Sequence, residues 1–338
     1  MNEFRLRKTD SFRSKKDKKV YIILLFLFLS LSIIATIGLI VYKNPVKIDS
    51  PSFYPIIRRR LTAVIAMAIA AVCQSISTIV FQTVSSNRII TPSLLGFEAL
   101  YSTIQTSTLF FFGVSTLIAF KGLHAFLIQV ILMVLLTLIL YSWILKDTKN
   151  DMHFMLLVGM ILGGGLRSAS SFMRRILSPS EFDILQARLF SSVNNADREY
   201  FPIVIPLVII VSIYIFKKYK SLNVISLGHD ISINLGNDHK KESIKFLVSV
   251  SILMAISTAL IGPLSFFGFL VATLTYQIAN TYDHKYLLAM SIVLGFMILT
   301  VAYFIMNHIF SAQGVVSIII EFFGAIAFIF MIFRKEMI

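Results

Sequence analysis

Two Leu-Gly pairs stand in the polar stretch SLNVISLGHDISINLGND, residues 221–238. The residues of this stretch that matter here are Leu227, Gly228, Asp230, Leu235 and Gly236. Glycine often ends a helix because it adopts a left-handed backbone conformation at little cost. The spacing therefore predicts two short helices, each ended by glycine, that present small apolar side chains on a polar frame. Another protein could push such a unit, whereas composition alone favours a solvated loop whose glycines only turn the chain.

Residues suited to catalysis are missing from the sequence. It has no Gly-x-x-x-x-Gly-Lys-Ser/Thr loop, with which many nucleotide-hydrolysing proteins hold phosphate. Its single cysteine, Cys73, lies in an apolar run, and no Cys/His cluster has zinc spacing. The histidines are scattered through predicted loops and span ends, at positions 124, 153, 229, 239, 284 and 308. We therefore expect no catalytic residues, no metal site and no directly bound cofactor, and the chain is not expected to be an enzyme by itself.

The sequence around the polar stretch is too apolar for a soluble protein. Of the 338 residues, 57% are hydrophobic and only 14% are charged. Residues 20–42 contain no charged side chain. At about 1.5 Å per residue, a helix of that length crosses the roughly 30 Å hydrocarbon layer of a bilayer. Because the apolar runs do not alternate as barrel strands do, the sequence predicts an all-α, polytopic membrane protein.

About ten transmembrane helices are predicted from the apolar runs. The spans are 20–42, 61–84, 92–116, 123–145, 152–173, 200–216, 246–262, 265–282, 286–309 and 313–333. The basic residues that precede the first span predict a cytoplasmic N-terminus, because Lys and Arg concentrate on the cytoplasmic side. An even number of spans then returns the C-terminus to the cytoplasm. In this layout the inner segments hold about twice as many Lys and Arg residues as the outer segments.

The layout predicts a basic cytoplasmic tail, residues 1–19, followed by one transmembrane domain, residues 20–338. A cytoplasmic segment at about 217–245 contains both Leu-Gly pairs. The net charge of +14 follows from the orientation of the spans, so no nucleic-acid partner is expected. On the outer side, residues 174–199 contain Ser178-Pro179-Ser180-Glu181. This sequence is typical of a capping box and predicts a short helix on the outer surface.

Four segments follow the order of motifs that occur together in one transporter family. Residues 87–96, NRIITPSLLG, resemble Asn-Pro-Leu-Ala-Asp/Glu-Pro-Gly-Leu-Leu-Gly, and Gln82 also stands where that pattern has Gln. Residues 227–236 resemble Leu-Gly-Glu/Asp followed by a second Leu-Gly. Residues 262–269, GPLSFFGF, resemble Gly-Pro-Ile-Gly-Phe-Val-Gly-Leu, and residues 282–285, YDHK, resemble Thr-Asp-His-Arg. These motifs are those of the FecCD family, the membrane permeases of ABC importers for iron–siderophores, haem and cobalamin.

The resemblance covers about residues 57–334 and implies a function. The chain would be a permease subunit in the plasma membrane that carries an iron–siderophore complex into the cytoplasm. Cytoplasmic ATP-binding subunits would hydrolyse ATP and meet the segment formed by Leu227, Gly228, Asp230, Leu235 and Gly236. An extracellular solute-binding protein would deliver the ferric siderophore, and a second permease subunit would complete the channel.

The sequence also departs from the family pattern. Val271-Ala272-Thr273 stands where the family has Val-Pro-His, and Tyr303 and Asn307 stand where it has Asp and Arg. Arg60-Leu61-Thr62-Ala63 replaces Arg-Leu-Pro-Arg. These departures resemble the catecholate-type branch, in which two different permease chains pair. We therefore expect the second permease to be a different but related chain.

Arginine prevails over lysine in the predicted outer segments, whereas lysine prevails in the inner ones. A guanidinium binds a carboxylate through two parallel hydrogen bonds, which an ammonium cannot do. In the family, arginines at the Arg-Leu-Pro-Arg position meet glutamates of the binding protein, and Arg60 matches the first of them. The predicted docking residues are Arg58, Arg59, Arg60 and Arg188. Contact with lipid headgroups, or attraction of an anionic siderophore, are the alternatives.

Ionisable side chains inside the spans are costly and are often functional. Glu321 is therefore predicted to face the pore or the partner permease, together with Gln82 and Asn87. An ion-coupled secondary transporter is an alternative function, and Glu98, Arg167 and Glu321 are candidates for its relay, although they are dispersed along the sequence. A membrane scaffold is a second alternative, and its spans would be expected to lack breaks such as Gly163-Gly164-Gly165. A permease of the same family for haem or cobalamin is a third.

Overall fold

A computed structural model describes most of the chain as α-helix. The described residues are 11–46, 50–119, 122–147, 152–190, 192–193, 196–308, 318, 320–322, 324–326 and 329. Their helices are α1 (Lys15–Val41), α2 (Phe53–Val84), α3 (Phe97–Ala119), α4 (Leu123–Asp147), α5 (Met152–Ile176), α6 (Pro179–Leu189), α7 (Phe201–Lys217), α8 (Tyr219–Ile225), α9 (His229–Asn234), α10 (His239–Ile261), α11 (Phe267–Ile278) and α12 (His284–His308). Two short 3₁₀ helices span Pro92–Leu95 and Arg198–Tyr200.

The helices coincide with the predicted spans. Within the described part of the chain, the helices long and apolar enough to cross a membrane are α1, α2, α10, α12 and Arg198–Lys217, which includes α7. The predicted spans at 92–116, 123–145, 152–173 and 265–282 coincide with α3, α4, α5 and α11. The last predicted span lies mostly outside the described residues, and its residues 320–322 and 324–326 are helical. The all-α, polytopic architecture is thus confirmed.

The second and third predicted spans have different boundaries in the structure. Helix α2 begins at Phe53 rather than at residue 61, because Pro55 fits the first turn of a helix and the arginines that follow continue it. The third span is broken at Gly96, whose φ is +105°. A Cβ atom built on Gly96 would lie 3.3 Å from the Cα atom of Gly163. The two glycines therefore let the segment before α3 lie close to α5.

Helix α2 is the central element of the fold. It packs against α10, α12 and α11, and small side chains line the contact. Ala66, Ala70 and Ala71 are fully buried there. Helices in a membrane associate through close packing because lipid tails are as apolar as the side chains and supply no hydrophobic driving force, and small residues allow the backbones to approach. Helix α1, by contrast, packs mainly on α12 and exposes most of its side chains, as expected of a helix at the lipid boundary.

One end of the bundle brings together segments that are far apart in sequence. The hydroxyl of Ser11 donates a hydrogen bond to Asp283 at 2.7 Å, and the ring of Phe12 packs against Tyr21 and Tyr286. Helix α8 and the turn after α2 lie at the same end. All of these segments are predicted to be cytoplasmic, so the contacts are consistent with the predicted layout. Helix α1 already begins at Lys15, and the first ten residues of the predicted tail lie outside the described residues.

The opposite end carries α6 and the junction between α1 and α2. Ser178 accepts a hydrogen bond from the backbone N–H of Glu181, and the Glu181 carboxylate accepts one from the backbone N–H of Ser178. The hydrogen bonds that the Glu181 carboxylate accepts from the backbone N–H and from the hydroxyl of Ser178 hold its pKa below the ordinary value. The capping-box prediction is confirmed. Leu185 is buried beneath α6 together with Leu109 of α3, so the short helix is packed onto the bundle.

Candidate functional site

The polar stretch with the two Leu-Gly pairs folds into the two short helices that its sequence predicts. Helix α8 is followed by Gly228 with φ +97°, and α9 is followed by Gly236 with φ +79°. Both φ values lie in a region of backbone conformation that residues with a Cβ atom rarely adopt. Gly228 differs from the expected left-handed cap, because its ψ of 168° is extended and it also begins α9. We call residues 219–238 the coupling segment, after the role that the family resemblance implies for them.

The coupling segment is anchored on one side and exposed on the other. Leu222 and Ile225 of α8 are completely buried in the main core. Leu227 and Leu235 of the two pairs are 52% and 61% exposed. Ile231 and Ile233 between them are also about half exposed, so four large apolar side chains stand exposed within nine residues, as at many protein contact sites. The coupling segment is therefore anchored in the bundle through α8 and presents an apolar surface on its outer side.

A network of polar side chains connects α8 to the end of α2 and to the start of α12. The Asn223 amide nitrogen donates to the Asp283 carboxylate at 3.1 Å, and the Asn223 carbonyl oxygen accepts from the backbone N–H of His284 at 2.9 Å. The His284 ring lies between Asn223 and Thr83 of α2, with its Nδ1 2.6 Å from Asn223 Oδ1 and its Nε2 2.7 Å from Thr83 Oγ1. We call Thr83, Asn223, Asp283 and His284 the polar hub.

The hydrogen bonds of the polar hub assign the tautomer of His284. Asn223 Oδ1 has no hydrogen to give, so the Nδ1–H of His284 must donate to it. In the neutral ring Nε2 then carries no hydrogen, and it lies 2.7 Å from the Thr83 hydroxyl, whose one hydrogen is shared between this nitrogen and the Ile79 carbonyl 2.8 Å away. His284 thus joins α8 to the end of α2 through one ring, and the position of each helix fixes that of the other.

Asp283 is held in the hub as a carboxylate. Burial opposes its negative charge, but hydrogen bonds from Asn223, from Ser11 and from the backbone N–H of Lys285 outweigh burial and lower the pKa of Asp283. A charged acceptor makes stronger hydrogen bonds than a neutral one. The Asp283 carboxylate therefore ties together the coupling segment and the N-terminal residues.

The residues of the hub could be predicted from the sequence only in part. Asp283 and His284 belong to the YDHK motif, whereas Asn223 and Ser11 were missed. Asn223 is polar in the otherwise apolar turn of α8, and this is the signal that could have indicated a buried partner. Nothing in the sequence near Ser11 indicates its contact with a residue 272 positions away.

The three residues predicted to face the pore or the partner permease lie in different environments. Gln82 is buried, and its amide nitrogen donates to the Arg88 carbonyl at 2.7 Å, so in this structure it faces the interior of the chain. Asn87 is half-buried and accepts a hydrogen bond from the backbone N–H of Ile89. Both residues thus shape the turn after α2. Glu321 is half-buried and close enough to Glu98 for the two carboxyl groups to interact electrostatically.

The intramembrane ionisable residues lie closer together than their sequence positions suggested. Glu98 also interacts electrostatically with Arg167 of α5. One oxygen of Glu98 accepts a hydrogen bond from the Ser265 hydroxyl at 2.6 Å, and the other is buried without a hydrogen-bond partner among the described residues. The three ionisable side chains therefore share one region of the bundle, between α3, α5 and the last span.

The predicted docking arginines are not equivalent. The Arg60 guanidinium donates to the carbonyl oxygens of Leu39, Ile40, Tyr42 and Lys43, at 2.9–3.2 Å. These carbonyls include the unpaired ones at the end of α1, so Arg60 caps that helix. Arg58 and Arg59 are exposed on the first turns of α2, and Arg188 of α6 is half-buried. Arg58 and Arg59 are thus more accessible to a docking protein than Arg60 is.

The described helices form a bundle, and several of them are long and apolar enough to cross a membrane. The FecCD transport family matches residues 20–334, and the chain belongs to this family. It is therefore a transport permease and a multi-pass protein of the plasma membrane. This assignment sets aside the secondary transporter and the scaffold.

Several relatives support the family assignment. The chain is 58% identical to the petrobactin import system permease protein FatC of Bacillus anthracis, over 98% of this chain and 93% of FatC. It is 35% identical to the petrobactin import system permease protein YclO of Bacillus subtilis (strain 168), over 82% and 88% of the two chains. The fold is similar to that of a solved structure described as an inward-facing conformation of a putative metal-chelate type ABC transporter. The TM-score is 0.78 at 17% identity, over 93% of this chain and 99% of that chain.

Replacing Gly228 or Gly236 by valine is expected to uncouple ATP hydrolysis from chelate uptake. A β-branched residue is strained at positive φ, so each variant must change the path of the coupling segment. We expect chelate uptake by the assembled importer to fall at least about tenfold while ATP hydrolysis persists. A backbone strain of about 1–3 kcal/mol is enough to make another conformation of the coupling segment the more populated one. Uptake and ATPase activity in proteoliposomes are the measurements. Ser226→Val, at an exposed position with ordinary helical dihedrals, is the control. Normal transport by both glycine variants would remove the coupling role.

Arg60 and Arg59 are expected to respond differently to substitution. Arg60→Ala removes hydrogen bonds to the end of α1 and should destabilise the chain by about 1–3 kcal/mol, with Arg60→Lys restoring little of the loss. Arg59→Ala leaves these bonds intact and should instead weaken binding-protein affinity, more strongly at low salt. Thermal unfolding and receptor binding as a function of salt separate the two effects. Unchanged receptor affinity in both Arg58→Ala and Arg59→Ala would contradict the docking role.

Proposed function

We propose that this chain is one of two permease subunits of an ABC importer that carries ferric petrobactin into the cytoplasm. The observation that carries the proposal is the 58% identity to FatC over nearly the full length of both chains. The substrate is the iron chelate, so the iron is cargo and not a resident cofactor. A haem or cobalamin permease of the same family remains the competing substrate assignment, and the uptake experiment below decides between them.

The coupling segment supports partnership with separate ATP-binding subunits. The sequence has no phosphate-binding loop of its own, and the segment exposes Leu227 and Leu235 at the end predicted to be cytoplasmic. We assign Leu227, Gly228, Leu235 and Gly236 to the contact with an ATP-binding subunit. Asp230, whose side chain is 96% exposed, adds a negative charge at the same surface. ATP is hydrolysed on those subunits, and this chain binds no cofactor directly.

A mechanism for energy coupling follows from the polar hub. When the ATP-binding subunits close, they displace the coupling segment, which cannot move alone because Leu222 and Ile225 are buried and Asn223 is bonded to the hub. His284 passes the displacement to Thr83 at the end of α2, the central helix. Helix α2 has 32 residues and is about 48 Å long at 1.5 Å per residue, so its two ends lie at opposite faces of the bundle. The displacement of α2 therefore changes which arrangement of the permease is the more stable, the inward-open or the outward-open one.

The outer partners complete the proposed importer. A solute-binding protein delivers the chelate to the outer face, where Arg58, Arg59 and Arg188 are the candidate contacts for its carboxylates. The second permease is a related but different chain, as the departures at Tyr303 and Asn307 suggest. Tyr303 is buried, and its hydroxyl accepts a hydrogen bond from the backbone N–H of Val193, so it serves the interior of this chain.

Uptake of radiolabelled iron in a strain that lacks this gene tests the substrate directly. Ferric petrobactin uptake is expected to fall to background and to return when the intact gene is supplied on a plasmid. Haem-iron and cobalamin uptake, measured in the same strain, are expected to stay unchanged and serve as matched controls. Loss of haem or cobalamin uptake with normal petrobactin uptake would overturn the substrate assignment but leave the permease role intact.

A further inference from the structure

One face of α5 is polar although it lies in a membrane-spanning helix. Arg167, Ser168, Ser171, Phe172 and Arg175 line a cavity of about 360 Å³ on the surface of the chain. All five side chains are exposed. Residues separated by three or four positions share one face of a helix, so these residues form a continuous row along α5. We call Arg167, Ser168, Ser171 and Arg175 the α5 stripe.

The arginines of the α5 stripe are free to bind a ligand. In the part of the chain that the structure describes, neither Arg167 nor Arg175 makes an ion pair or a side-chain hydrogen bond. Their neighbour Arg174 differs, because it donates to the Ser102 hydroxyl of α3 at 2.6 Å. Glu98 offsets part of the charge of Arg167, but Arg175 lies two turns further out. The outer part of the stripe is therefore cationic.

The depth of Arg167 excludes lipid headgroups as its main contact. Arg175 stands one residue before the end of α5, whereas Arg167 lies eight residues earlier, about 12 Å deeper along the helix axis. A charged side chain at such a depth is costly against lipid, so its face must meet water or protein. If the second permease packed directly onto this face, two guanidinium groups would be desolvated, which is unfavourable unless carboxylates pair with them. A water-filled passage avoids both costs.

Two glycines continue the face towards the middle of α5. A Cβ atom on Gly164 or on Gly165 would meet no atom within 4 Å, so neither glycine is there to pack against this chain. Gly163 is different, because it lies against Gly96. On the N-terminal side of Arg167, the surface of α5 next to the stripe therefore lacks protruding side chains, which leaves room for a bulky solute.

We propose that the α5 stripe is a contact site for the anionic iron chelate on its way through the permease. Arg175 meets the chelate near the outer face, and Arg167 binds it about two turns deeper, before the open surface at Gly164 and Gly165. Guanidinium groups suit this role because they pair with catecholate and carboxylate oxygens through parallel hydrogen bonds. The identity of the chelate rests on the proposed function, whereas the anion preference of the stripe does not.

Thiol labelling in the assembled importer tests the stripe without any assumption about the substrate. The native Cys73 is completely buried, so Ser168→Cys introduces the single accessible thiol of this chain, and the importer without this substitution gives the background labelling of the partner subunits. The rate for anionic sulfonatoethyl methanethiosulfonate, added from outside, is divided by the rate for the cationic trimethylammonioethyl reagent. This ratio is expected to be roughly tenfold higher at the introduced thiol than with free cysteine in solution, because two guanidinium groups lie near the thiol. Adding Arg167→Gln should reduce this ratio several-fold, whereas adding Arg174→Gln should change it less than twofold.

The outcomes of the labelling experiment separate the possible contacts of this face. Reaction with neither water-soluble reagent would show that lipid or the partner permease covers the stripe, and would overturn the proposal. The same rate ratio as with free cysteine would overturn the anion preference. A ratio that changes when anionic lipids are removed from the vesicles would assign the arginines to headgroups instead.

Uptake measurements then connect the stripe to transport. Arg167→Gln is expected to lower ferric petrobactin uptake roughly tenfold, the effect of losing one charge-assisted hydrogen bond, with Arg167→Lys retaining an intermediate rate. Binding-protein affinity and ATPase activity should remain as in the wild type. Wild-type importer that fails to transport ferric petrobactin would overturn the proposed substrate but not the labelling result. Normal uptake by Arg167→Gln in an importer that transports the chelate would overturn the role of the stripe.

Discussion

The amide of Asn223 is the connection on which the coupling mechanism depends. It holds Asp283 through its nitrogen and His284 through its oxygen, and His284 in turn reaches Thr83. These groups are largely buried, so removing one partner leaves others without hydrogen bonds, at a cost of about 1–3 kcal/mol each. The coupling segment, the end of α2 and the start of α12 are therefore expected to move as one body. If only apolar contacts joined the coupling segment to the bundle, the segment could slide more easily, because apolar contacts are not directional.

The rest of the bundle extends this connection across the membrane. Small side chains let α2 pack closely against α10 and α12, so a displacement at its inner end is carried along the helix. At the outer end Arg60 joins α2 to the last carbonyls of α1. The glycine contact between Gly96 and Gly163 brings the segment before α3 against α5, the helix that carries the α5 stripe. The proposed contact with the ATP-binding subunits and the proposed passage for the chelate thus lie in one packed unit.

The sequence predicted the helices well and their long-range contacts poorly. Apolar runs and the Leu-Gly spacing reflect local physics, and so the spans, α8 and α9 could be predicted. Arg60 was assigned to docking because its guanidinium chemistry was clear, but the free carbonyls at the end of α1 were not visible in the sequence. Glu98, Arg167 and Glu321 were judged dispersed because distance along the chain says little about distance in a bundle. Gln82 matched a family motif, and only the structure revealed that its amide serves the turn after α2.

The central claim is that the polar hub transmits force, and the number of ATP molecules hydrolysed per chelate imported measures this most directly. The complete importer is reconstituted in proteoliposomes with either Asn223→Ala or the matched control Asn234→Ala, an exposed residue of α9. The account predicts that Asn223→Ala raises the ratio at least about tenfold, since the 1–3 kcal/mol lost per hydrogen bond lets the segment move without the spans, while the control stays at the wild-type value. An unchanged ratio in Asn223→Ala, with normal assembly and ATPase activity, would contradict the account.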